Sequence, residues 1–178
     1  MEETTQTPEI TTRSAGIRYG IVLAIVSFAY FIVLTISGVA AGQGIWSWVG
    51  YLITAGLIFL AQKYFKDNGN GFMTYGQGIG IAFWEGLVSI AIYMPLFYIY
   101  IKFIDSGFIE MIKEKQIDGM QQKGMSDEQI DQAMKIAGAF MTPEAMLGFG
   151  IVFGIIGTII IGLIVTIFTQ KKNSDPFA

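Results

Sequence analysis

The sequence predicts an all-α fold: an integral membrane bundle of four transmembrane helices, with an extramembrane, periplasmic helical hairpin between helices 3 and 4. Three observations predict it. Hydrophobic residues make up 53% of the chain and charged residues 14%, too few charges to coat a soluble domain. The charges cluster, and the gaps between clusters are apolar windows of about 18 residues or more, the length that crosses a bilayer. One long insert, 105–143, holds half of the acidic residues. The chain also has no Cys and no His. Disulfides, thiolate metal sites and thiol chemistry are thereby excluded, and the commonest general base is missing.

The first twelve residues are polar and Thr-rich, with Glu2, Glu3, Glu9 and Pro8. They have nothing to bury and read as a disordered tail. Residues 13–172 read as one membrane domain, with a short tail at 173–178. The first span, about 17–39, follows Arg13 and Arg18. Val39-Ala40-Ala41 supplies the small residues of a signal cleavage site, but the run is longer than a signal core and further spans follow. A short charge-free turn at 38–44 makes spans one and two antiparallel neighbours. The second span, about 45–62, opens on Trp46, Trp48 and Tyr51 and closes at Tyr64 and Phe65, matching interfacial aromatic belts.

Lys63, Lys66 and Asp67 then lead into Asn68-Gly69-Asn70-Gly71, a sharp turn. The third span, about 75–104, is the longest. Pro95 in its second half is expected to kink it. In the insert, Lys123-Gly124 reads as a helix stop, and Ser126 with Gln129 as a capping-box start. Ile130, Ala133, Met134, Ala137, Phe140 and Met141 then follow helical spacing. Two extramembrane helices are therefore expected. Thr142-Pro143-Glu144 is a further helix start, with an N-cap, Pro at the first helical position and an acid in the first turn. It opens the fourth span, about 144–169, which Lys171 and Lys172 close.

Arg13/Arg18, Lys63/Lys66 and Lys171/Lys172 all fall on one side of a four-span chain. The positive-inside rule places both termini in the cytoplasm of a bacterial inner membrane, with 105–143 periplasmic.

Four short stretches carry a family resemblance. They are Asn68-Gly69-Asn70-Gly71-Phe72, Tyr75-Gly76-Gln77, Met125-Ser126-Asp127-Glu128-Gln129-Ile130 and Phe140-Met141-Thr142-Pro143. On these the chain resembles, from about residue 16 to 172, the bacterial four-span inner-membrane family catalogued as domain of unknown function 4199. The resemblance implies a small four-span inner-membrane protein and no assigned activity, so it carries no functional residues.

Candidate residues come from the chain itself. Glu85 is the one formal charge well inside a span, about eight residues or ~12 Å deep. There an ionised carboxylate costs a few kcal/mol unless paired, hydrated or protonated. It is a proton, cation or head-group site, or it is a carboxylate that reaches water or pairs with Arg18 or Ser27. Gly150, Gly154, Thr158 and Gly162 form a small-residue stripe on the fourth span. It allows close helix approach, within the bundle or to a partner. Gly78, Ala82 and Gly86 on span three, and Gly16, Gly20 and Ala24 on span one, are candidate facing surfaces. Ile130, Met134, Phe140 and Met141 form a soft apolar face for the bundle, the membrane or a partner. No Walker A, GxSxG or HExxH pattern occurs, nor a Ca²⁺-loop pattern. No catalytic, metal or cofactor site is expected.

The functional expectation is an accessory or scaffold subunit that is not an enzyme. It meets membrane lipids and a membrane-protein partner or a second copy, and no nucleic acid. The alternative is a small transporter, or a lipid or lipid-linked-sugar handling protein, that uses Glu85.

Overall fold

A computed structural model describes residues 10–39 and 44–172. Most of the expected N-terminal tail, most of the turn at 38–44 and the tail at 173–178 lie outside the described residues. Among the described residues the chain is helical: α1 (Thr12–Ile36), α2 (Ile45–Asp67), α3 (Tyr75–Ile99), α4 (Phe108–Gln122), α5 (Asp127–Gly138) and α6 (Pro143–Thr169). A five-residue π-turn, Tyr100–Ile104, extends α3.

The helix boundaries have local causes. Thr74 accepts from Gln77 N while the Gln77 side chain accepts from Thr74 N, which starts α3. The same reciprocal box, Ser126 with Gln129, starts α5. Thr142 caps α6 ahead of Pro143. Gly124, at φ +75°, turns the chain out of α4, a conformation that costs glycine no side-chain clash. α1 begins earlier than expected. Thr11 caps it through Ser14 N at 3.0 Å, and Ile10 packs on the core beside Ala15 and Met73. The end of the expected tail is thus structured, because Thr11 and Ser14 supply a cap. α3 runs through Pro95 as one helix, and its hydrogen-bond register changes at the π-turn five residues later.

Three helical stretches among the described residues are long and apolar enough to cross a membrane: Thr12–Ile36, Tyr75–Ile104 and Pro143–Thr169. On length and composition, four expected spans are thus met by three. α2 has 23 residues, but Trp46, Trp48 and Tyr51 at its start and Gln62, Lys63, Lys66 and Asp67 at its end shorten its apolar run. Large apolar side chains face outward along the helices, among them Ile25 and Val33 on α1 and Phe153, Ile160 and Phe168 on α6. An exposed apolar surface of this extent suits hydrocarbon and not water. The chain is a helical membrane protein.

α3 is the axis. α1 lies parallel to it, with Gly16 against Ile81 and Trp84 at one end and Phe31 against Phe97 at the other. α6 runs antiparallel along α3, Gly78 meeting Thr166 and Gly150 meeting Met94. α2 packs antiparallel to α1, joined by Tyr30 OH to Trp46 O at 2.6 Å and Arg18 Nη1 to Tyr64 OH at 3.0 Å. The end of the bundle that holds Arg13, Lys66 and Lys171 is closed by Met73 and Lys171, which exchange backbone hydrogen bonds of 2.8 and 2.9 Å. The opposite end carries the α4–α5 hairpin. Phe108, at the start of α4, sits in an aromatic cluster with Phe31 and Phe97. Lys115 donates to Gly38 O at 2.8 Å.

Candidate functional site

Buried polar side chains are few in this bundle, and they mark its interior. They are Gln62, Glu85, Ser89, Thr158, Thr166 and Thr169 among the described residues. In hydrocarbon each must find a partner inside the protein. Gln62, fully buried on α2, does so completely. Its Nε2 donates to Gly78 O at 3.1 Å and to Thr166 Oγ1 at 2.8 Å, and its Oε1 accepts from Thr169 Oγ1. Thr166 also donates to Gly162 O on its own helix, and Thr169 shares its one hydroxyl proton between Gln62 and Val165 O. One side chain therefore ties α2 to both α3 and α6. Lys66, one turn on, donates to Thr169 O at 2.8 Å.

Glu85 does the opposite. It has no exposed surface, and neither carboxylate oxygen has a hydrogen-bond partner among the described residues. Arg18 does not pair with it. The Arg18 guanidinium lies over the Tyr64 ring, 4.7 Å from its centre, and donates to the Tyr64 hydroxyl. Arg13 lies over Trp84 at 5.0 Å. Both arginines are held by aromatic rings through cation–π attraction. The alternative of a carboxylate reaching water is also set aside, because no part of the residue is exposed, and α1 packs directly on its backbone. An ideal Cβ at Gly20 would stand 2.7 Å from the Glu85 carbonyl oxygen, so only glycine permits this approach.

The small-residue stripes serve two different seams. Gly78, Ala82 and Gly86 of α3 meet Thr166, Gly162 and Thr158 of α6, and Gly154 and Gly150 continue the seam against Ile90 and Met94. Gly16 and Gly20 of α1 meet the other side of α3, at Ile81, Trp84, Glu85 and Val88. The stripe of α6 is therefore used inside the chain, and its facing surface is α3 and not α1.

The hairpin residues do not form one outward face. Ile130 is buried and Met134 is half-buried. Phe140 and Met141 lie beyond the end of α5, where Gly138-Ala139 stops the helical spacing from continuing. Together with Met94 and Phe97 of α3, Ile112 and Gln116 of α4, and Met146 and Phe149 of α6, they line a cavity of about 600 Å³. Gln116 contributes a buried Oε1 that has no partner among the described residues. At the same end of α3 and α6, outside the residues that line it, Lys102 pairs with Glu144 at 2.8 Å, and Tyr98 donates to the same carboxylate at 3.0 Å. A second cavity, of about 190 Å³, lies deeper between α1, α2, α3 and α6. Tyr93 and Met94 line both.

A family described as "Protein of unknown function (DUF4199)" matches residues 18–171. The chain belongs to the DUF4199 family. No curated protein and no solved structure matches it. The DUF4199 match takes in α2 to α6 and about three quarters of α1. Gln62, Glu85 and both cavities therefore lie within the family region, whereas the Thr11 cap and Gly16 precede it.

Proposed function

We propose that this DUF4199 protein is a non-enzymatic, four-span membrane protein that holds the hydrocarbon chain of a lipid or lipid-linked molecule beneath its hairpin. The observation that carries this reading is the apolar cavity of about 600 Å³ between the hairpin and the ends of α3 and α6. Its floor belongs to α3 and α6, helices of membrane-spanning length, and its roof to α4, α5 and the turn after them, an arrangement that suits a lipid tail entering below its head group. Methionine and aromatic linings adapt to flexible apolar guests, and volumes of this order are those of ligand sites. The Lys102–Glu144–Tyr98 group, at the same end of α3 and α6, offers polar contacts for a head group.

Within this reading α2 is the fourth span. Its 23 residues make a helix of about 34 Å, and it is bonded to α1 at one end and to α6 at the other. Both termini are cytoplasmic, and the hairpin is periplasmic in a bacterial inner membrane. The support is the collection of Arg13, Arg18, Lys63, Lys66, Lys171 and Lys172 at one end of the bundle.

A second reading, an accessory subunit that binds a membrane-protein partner or another copy, is favoured by Ile136 and Phe140. These are 70% and 53% exposed outside the apolar spans.

One purification from native membranes in mild detergent, with mass spectrometry of lipids and proteins, tests both. Wild type is expected to retain one lipid class well above its share of the bulk membrane. Ala137→Trp, which fills the cavity from α5, is expected to retain about tenfold less, equivalent to ~1.4 kcal/mol. Bulk-like lipid in both proteins contradicts lipid binding. A stoichiometric protein partner in its place supports the accessory reading.

A further inference from the structure

Four hydroxyls, one from each long helix, meet in the smaller cavity: Ser27 of α1, Thr54 of α2, Ser89 of α3 and Thr158 of α6. Glu85 precedes Ser89 by four residues, so the two share a face of α3 about 6 Å apart along the axis. Gly86, the next residue, packs on Thr158. Glu85 is not itself among the residues that line the cavity; its buried, unpartnered carboxylate belongs to the helical turn of α3 next to Ser89.

The hydroxyls present a particular chemistry. Thr54 Oγ1 donates its proton to Gly50 O at 3.1 Å, and Thr158 Oγ1 donates to Gly154 O at 2.9 Å. With their protons turned back onto their own helices, both offer lone pairs to the cavity. A carboxylate beside oxygen acceptors attracts positive charge and repels anions. None is supplied by the helices around Glu85. On α1, Gly16 and Gly20 face it, while Arg13 and Arg18 are held on Trp84 and Tyr64. On α2, one turn from Gln62, Ile58 and Ala61 are buried and apolar. On α6, Thr158 and Gly162 are uncharged. Among the described residues Tyr93 is the one titratable group that lines the cavity.

We propose that Glu85 and this hydroxyl cavity bind a single positive charge, delivered as a proton or as Na⁺. One monovalent charge neutralises one carboxylate, whereas a divalent ion would leave net charge in the apolar interior. The all-oxygen donor set suits a hard cation and not a thiophilic or imidazole-seeking metal. The inference stands independently of lipid binding in the larger cavity.

The test uses the full-length protein in lipid nanodiscs, as wild type, Glu85→Gln, Thr158→Val and Ser89→Ala. Thermal unfolding is followed as NaCl replaces choline chloride at constant ionic strength. Infrared difference spectra between acidic and alkaline buffer report the carboxyl C=O band. If Na⁺ is the charge, the wild-type midpoint rises with Na⁺, and Glu85→Gln loses the rise. Thr158→Val and Ser89→Ala then need roughly 10–100-fold more Na⁺. If a proton is the charge, Na⁺ has no effect, and a pH-dependent carboxyl band disappears in Glu85→Gln and shifts in Thr158→Val and Ser89→Ala. A wild type with neither response overturns the proposal. So does a response that both hydroxyl variants leave unchanged, which also decides the matter if Glu85→Gln does not fold.

Discussion

Gly16→Val is expected to lower the stability of the detergent-solubilised protein by about 3 kcal/mol, at the upper end of overpacking costs. A Cβ at Gly16 would stand 2.7 Å from the Ile81 carbonyl oxygen and 3.0 Å from Glu85 N. Both are backbone atoms within α3 and cannot rotate away, so α1 must lift off its neighbour. Gly157→Ala on α6 is the matched control. Its Cβ meets nothing within 4 Å, so helix propensity leaves it neutral or stabilising by up to ~1 kcal/mol. Unfolding in mild detergent, followed by circular dichroism, separates the two. Equal losses at both sites would contradict the close packing of α1 on α3.

Gln62→Leu is expected to cost about 2 kcal/mol. It removes the bonds to Gly78 O and Thr166 and the one from Thr169, each worth ~0.6 kcal/mol on average between membrane helices. The loss stays moderate because both threonines keep bonds to their own helix. A double-mutant cycle with Thr169→Val isolates the shared bond, and additive effects would show that it contributes nothing.

How far these features were legible depends on how local their causes are. Helix starts were readable at Ser126 and Thr142, since a cap and its partner lie three residues apart. The small-residue stripes were visible as four-residue spacing, but spacing names no partner. It did not separate the α6 seam of α3, at Gly78 and Gly86, from the α1 seam at Ile81 and Val88. Gln62 was missed as a hub. A glutamine closing an apolar stretch reads as an interfacial residue, and two of its partners lie 104 and 107 positions away. Glu85 stood out as an embedded charge. Its surroundings did not, because the arginine nearest in register is claimed by Tyr64. Phe140 and Met141 were assigned to a helix face, because their i+3/i+4 spacing continues past the actual end of α5. The cavity they line has walls from three other helices and leaves no trace in any one segment.

The four-span architecture requires α2 to cross the membrane, so that the end of α1 and the loop after α2 lie on opposite sides. The natural chain has no cysteine, so single cysteines can be introduced without clearing a background. The most direct measurement is labelling of Ser37→Cys, Asn70→Cys and Gln121→Cys with a membrane-impermeant maleimide, in intact and in permeabilised spheroplasts. Ser37→Cys and Gln121→Cys are expected to label in intact cells, and Asn70→Cys only after permeabilisation. Labelling of Ser37→Cys and Asn70→Cys from the same side would contradict a spanning α2, and with it the four-span bundle.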